Sequence, residues 1–171
     1  MKQILLIFLT TCLVVACTNN QQDGPVTKEQ IRPVGSAGPA RIPPQNTLTN
    51  ALMQDYWVFE HHVLTNDPEG TNFNKGRWYK FHPDGTYDGG HWQDQTDFGN
   101  WYYKLTPEKT FILIDSEVND LNDAEWDVQQ STRDYTAMSW VRTGNYGDQR
   151  VVLGKLVKLT TMPTRQSFGL E

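Results

Sequence analysis

The chain has 171 residues, and its 15 basic and 20 acidic residues leave a formal net charge of −5. That length points to one domain. No stretch gathers the basic residues into a patch, which argues against nucleic acid as a partner and against electrostatic adhesion to an anionic lipid surface.

In chain order, the first sixteen residues carry one charge, Lys2, then an apolar run from Ile4 to Leu9 and a second from Cys12 to Ala16. A basic start, a short apolar core and a small residue at the end describe a secretory signal. The run is shorter and more interrupted than the roughly 20 apolar residues a spanning helix needs. Val14-Val15-Ala16-Cys17 resembles the lipobox of bacterial lipoproteins. The resemblance implies cleavage after residue 16, acylation of the Cys17 thiol and of its new amino group, and a membrane partnership through that anchor. With Thr18 rather than Asp next, the enterobacterial sorting rule implies the outer membrane of the cell envelope. Cys17 is then the sole cysteine of the mature chain. Lipidation explains it, and the domain must be held by its core without a disulfide.

Residues 17–46 are expected to be a flexible tether. They carry Pro25, Pro33, Pro39, Pro43 and Pro44 with Gly24, Gly35 and Gly38, and no aromatic residue. Such a stretch buries too little apolar surface to offset its ordering entropy. Extended at about 3.1 Å per residue, it would hold the domain up to roughly 80–90 Å from the membrane. Residues 47–54 predict a short helix with Thr47 or Thr49 as N-cap and Leu48, Ala51 and Leu52 on one side.

From Tyr56 the texture changes to short aromatic and β-branched runs, each closed by Gly, Pro, Asn or Asp. Eight strands are expected, over residues 55–64, 76–82, 86–93, 98–105, 109–115, 124–130, 133–142 and 149–160, giving an all-β barrel or sandwich within residues 47–162 and a tail over 163–171. Two hairpins can be set in register. Around Pro83-Asp84-Gly85, Pro starts a type I turn and Gly closes it in the left-handed region. Phe81 then faces Tyr87, Lys80 faces Asp88 as an outward ion pair, and Arg77 faces His91. Around Pro107-Glu108, Tyr103 faces Ile112 and Trp101 faces Ile114. The expected core is Trp78, Tyr79, Phe81, Tyr87, Trp101, Ile112, Ile114, Trp126 and Trp140, with Trp78 on the face opposite to Tyr79 and Phe81.

The stretch from Gly76 to Tyr87, followed by Gly99-Asn100-Trp101 and Phe111-Ile112-Leu113-Ile114, resembles the lipocalin-like domains of bacterial lipoproteins. The resemblance covers roughly residues 56–159 and implies an antiparallel up-and-down barrel of eight strands. The first strand reads Asp55-Tyr56-Trp57 where lipocalins carry Gly-x-Trp, a pattern found here at Gly76, Gly90 and Gly99. Arg142 and Arg150 are both available for the late-strand Arg that lipocalins stack on that Trp.

Small barrels can hold one ligand in an apolar lumen with a few placed polar groups. The expected ligand-binding residues are Arg77, Tyr79, Phe81, Tyr87, His91 and Trp101, suited to a small apolar or amphipathic molecule with an acidic end. A lumen of about 300 Å³ or more would favour such a ligand. A packed lumen would leave the barrel surface to an envelope protein partner. His61 and His62 fall on opposite faces, as do His82 and His91, so no metal site is expected. The loop from Asp115 to Asp123 lacks the Gly and closing Glu of a calcium loop, and it reads, like Asp67-Pro68-Glu69-Gly70, as solvated. There is no Gly-x-Ser-x-Gly elbow, nucleophilic Cys or phosphate-cradling loop, so the residues argue for no enzyme and no cofactor.

Overall fold

The structure is a computed structural model and describes residues 24–64, 73–144 and 152–171. The signal segment, Cys17, Arg150 and residues 67–70 lie outside the described residues. Eight strands follow a short helix α1 (Thr47–Leu52): β1 (Tyr56–Leu64), β2 (Arg77–Phe81), β3 (Thr86–His91), β4 (Asp94–Leu105), β5 (Thr110–Ser116), β6 (Ala124–Ser131), β7 (Ala137–Arg142) and β8 (Val152–Leu159). Each pairs antiparallel with the next and β8 returns to β1, which closes an up-and-down barrel. Closure gives every strand a neighbour on both sides, the β1–β2 ladder being the shortest, from Tyr56↔Lys80 to Val58↔Trp78.

Both hairpin registers hold. Phe81 faces Tyr87 and Arg77 faces His91, while Trp101 faces Ile114 and Tyr103 faces Ile112. Turn chemistry fixes the first. Gly85 has φ +89°, its amide donates to the His82 carbonyl, and the Asp84 carboxylate accepts from the Thr86 amide and hydroxyl. The Lys80–Asp88 ion pair does not form although the two residues are opposite. Lys80 lies over the Tyr56 ring at 4.6 Å, and Asp88 is taken by His82 at 3.0 Å and Lys28 at 3.6 Å. A ring face and nearer hydrogen-bond and ion-pair partners outcompete a cross-strand partner on this wall.

The inward faces fill the barrel with rings. Phe81 and Trp101 meet at 4.9 Å between centroids, and Phe81 and Tyr79 reach Trp140 on β7 at 6.3 and 6.5 Å. Phe59 meets Trp126 on β6 at 5.5 Å. All nine expected core residues are buried. Trp78 is buried on the outer wall, where Tyr56 packs edge-on and its indole N–H donates to the Trp92 carbonyl at 2.8 Å. The C-terminal tail brings Phe168 against Trp92.

Helix α1 plugs one end, with Leu48, Leu52 and Met53 packed on the core. Trp57 ties strand to plug through its indole N–H on the Leu52 carbonyl at 3.1 Å. The N-cap is Asn46, not Thr47 or Thr49. Its side chain accepts from the Thr49 amide at 2.9 Å, and the Thr49 hydroxyl accepts from the Asn46 amide at 3.0 Å. The two thus cap each other in the reciprocal manner of a capping box, with Thr at the third position. Strand β7 begins at Ala137 rather than 133, because Thr132 to Thr136 close a turn with Tyr135 at φ 54°. Strand β4 begins at Asp94, earlier than 98, after a register shift at Gly89/Gly90 in β3.

The expected tether is a strap from Pro25 onward. The Val26 amide donates to Asp94 at 2.8 Å, and the Val26 carbonyl accepts from the Gln95 amide. Further along, Val34 and Gly35 bond to the backbone of Val118 and Glu117. Ser36 bonds to Asp120, Gly38 to Asp115 and Asn100, and Pro39 accepts from the Tyr102 hydroxyl. Composition misleads here because the strap gains its order from hydrogen bonds rather than from apolar burial. The Asp115–Asp123 loop is correspondingly not merely solvated, since its carboxylates hold the strap. At the far end the strap crosses Gly85, where a Cβ would collide with the Arg41 carbonyl. Replacing Gly85 by Ala therefore combines a left-handed φ with that collision. We expect a loss of at least about 1–2 kcal/mol in urea unfolding, together with faster proteolysis near Arg41.

Candidate functional site at the barrel mouth

The end opposite α1 is formed by the last residues of β1, β3, β5 and β7 and the first of β2, β4, β6 and β8, and here the interior turns polar. Arg77 sits on the same inward face as Tyr79 and Phe81, facing His91 as expected. It is half-buried, and its Nη1 donates to the Asn74 side chain at 3.2 Å. Among the described residues no carboxylate forms an ion pair with Arg77. The His91 ring meets the Lys75 carbonyl at 2.9 Å and lies 5.7 Å from Phe73 and 5.4 Å from Trp92.

The residues sequence reasoning missed lie beside this pair. His62 follows a register shift between Phe59 and His61 that turns it inward against Phe59 at 5.2 Å and Trp126 at 6.4 Å. It is 6 % exposed, and its Nδ1 has no hydrogen-bond partner among the described residues. Burial, reinforced by the Arg77 charge, lowers its pKa from 6.5 to about 4, so the ring is neutral at pH 7. Arg142 stands at the same end, its Nη2 donating to the Asp123 carbonyl at 2.8 Å, far from Trp57 and the lipocalin Arg stack. Deeper, Asp97 is buried and accepts from Tyr87 at 2.9 Å and Ser116 at 2.6 Å. Burial raises the Asp97 carboxyl above its ordinary range against those hydrogen bonds and the Arg77 charge. It also raises the Tyr79 and Tyr87 phenols. Only the alternation of β4 could have pointed to Asp97, because it shares the inward face of Gly99 and Trp101.

The other expected ligand contacts do not line an open space. Phe81, Tyr87 and Trp101 are fully buried and Tyr79 nearly so. Their rings pack on one another, so the site contracts to the mouth. A recess of about 450 Å³ lies outside the barrel, lined by Gly38, Arg41, Tyr102, Lys104 and Leu113. Its polar groups are already engaged: Tyr102 with Pro39 and Asp115, Lys104 with Glu125. It is the seam of the strap. Comparison with protein families, with curated proteins and with solved structures finds no match to this chain.

The mouth thus offers a guanidinium with no carboxylate in ion-pair contact among the described residues, Asp97 acting on it only from farther off, and a neutral buried imidazole beside the Phe59 and Trp126 rings. His62 also gives the fold a pH signature. Its folded pKa lies below the unfolded value, so the unfolded chain binds more protons between about pH 6.5 and 4, and stability falls as pH falls through that window. The contribution is on the order of 3 kcal/mol at pH 7. The raised Asp97 acts in the opposite sense, so the clean measurement is a difference. The urea midpoint of wild type minus that of His62→Phe should decline from pH 7 to pH 4. A flat difference would mean that His62 is solvated.

Proposed function

We propose that the protein is a lipid-anchored, lipocalin-like envelope protein that holds a small anionic amphiphile at the barrel mouth, without catalysis. The observation that supports this most directly is Arg77, a half-buried cation on the inward face whose one hydrogen bond among the described residues goes to a neutral amide. A carboxylate or phosphate head group would give this guanidinium the close charge-assisted hydrogen bonds that the described residues do not. Phe73 and Trp92 beside His91 offer apolar faces to the rest of the molecule. The filled interior limits the ligand to the mouth. That same filling favours a second reading, in which the barrel's outer wall binds an envelope protein. The Cys17 anchor and the envelope location belong to the proposal and rest on the lipobox resemblance.

Laurate and its uncharged alcohol serve as paired probes, with binding followed by tryptophan fluorescence. Loss of a charge-assisted hydrogen bond is worth about 1.5–3 kcal/mol. Arg77→Met should therefore weaken laurate by about ten- to a hundredfold and leave dodecanol unchanged. Equal affinity of both probes for wild type and variant would reject the mouth site. Native mass spectrometry showing a bound protein and no small molecule would favour the second reading.

A further inference from the structure

We infer that the barrel is held with its mouth toward the membrane, its apolar rim seated in the lipid surface. This rests on the proposed acylation of Cys17, and on two features of the described structure that are independent of the ligand.

The first is where the strap begins. Val26 is bonded to Asp94 and Gln95 at the start of β4, beside the β3–β4 turn and therefore at the mouth. From there the strap passes the β5–β6 loop at Val118 and Asp120 and descends past Asp115 and Tyr102 to Gly85 and α1 at the plugged end. Nine residue steps separate Cys17 from Val26, and a chain of that length reaches at most about 30 Å. An acyl group on Cys17 would thus bring the lipid surface close to the mouth. Reaching the plugged end would require most of that length to run back along the barrel, because strands of five to twelve residues stand between the two ends, at about 3.3 Å per residue.

The second is the distribution of exposed apolar side chains. Among the described residues the exposed large ones are Val26, Val34, Ile42, Val63, Phe73, Leu105, Leu121 and Leu153. Val63 and Leu153 are cross-strand neighbours near the ends of β1 and β8 at the mouth, and Phe73 precedes β2. Leu121 crowns the β5–β6 loop, and Val26 and Val34 lie on the strap where it borders the mouth. Only Ile42 and Leu105 belong to the plugged end. Phe73 and Leu121 are 72 % and 83 % exposed. An aromatic and an aliphatic tip standing clear of the surface are what an interface between water and acyl chains accepts. Glu117 and Asp120 are exposed near the same rim, so its electrostatics do not favour anionic over zwitterionic lipid. A ligand held at Arg77 would then exchange with the lipid surface directly.

The test uses the full chain produced in a bacterium, with the acyl groups on Cys17 verified by mass. The protein is placed in phosphatidylcholine vesicles carrying brominated acyl chains. A thiol-reactive fluorophore is attached in turn to Leu121→Cys and Leu105→Cys, both exposed positions whose replacement leaves the core intact. We expect the bromines to quench the Leu121 site several-fold more than the Leu105 site, and aqueous iodide to show the reverse order. Equal quenching of both sites, or stronger lipid quenching at Leu105, would overturn the orientation while leaving the anchor and the mouth site standing. An unmodified Cys17 would overturn the orientation and the anchor together. The laurate measurement on Arg77→Met is unaffected by either result.

Discussion

Eight strands closed into a barrel enclose a space just wide enough for side chains to fill. In this protein rings fill it from β1, β2, β3, β4, β6 and β7, meeting at centroid distances between 4.9 and 6.5 Å. The other features follow from that volume constraint. The plugged end needs only a six-residue helix, because Trp57 and Phe81 already occupy the space behind it. Polar chemistry is displaced to the mouth, where the rings stop at Phe59 and Trp126 and His62, Arg77 and Arg142 begin. The proposed ligand would work at that boundary rather than in a deep cavity.

The strap is the second determinant. Its hydrogen bonds to Asp94, Asp115 and Asp120 turn an acidic surface into a fastening. Carboxylates accepting backbone N–H groups are among the stronger neutral-to-charged hydrogen bonds. They order a segment whose composition alone would leave it free. They also fasten the N-terminal side of the strap, at Val26, to the mouth, the local contact on which the proposed orientation of the domain rests.

The barrel was largely legible in the sequence, and the reasons are local. Pro83-Asp84-Gly85 and Pro107-Glu108 carry clear turn chemistry, and once a loop length is taken it fixes which residues face across a hairpin. Arg77 opposite His91 follows from counting outward from Gly85. The misses share a different cause: each depends on a partner distant in sequence. Asp97 is inward and polar because Tyr87 and Ser116 meet it from neighbouring strands. His62 is inward because of an irregularity beside His61 that alternation cannot foresee. The strap is ordered by residues more than sixty positions away. Whether Tyr79, Phe81, Tyr87 and Trp101 surround a space or fill one depends on ring sizes across the barrel. Aromatic content is the same in both cases.

The barrel interior is packed, and Trp140 sits where that packing can be measured. It is fully buried and lies 6.1 to 6.5 Å from the rings of Trp126, Phe81 and Tyr79. Removing a packed tryptophan leaves a cavity that the barrel walls cannot collapse into. Trp140→Ala should lower the free energy of unfolding in urea by about 3–5 kcal/mol. A loss under about 1 kcal/mol would mean that Trp140 borders an open lumen and that the interior is not packed.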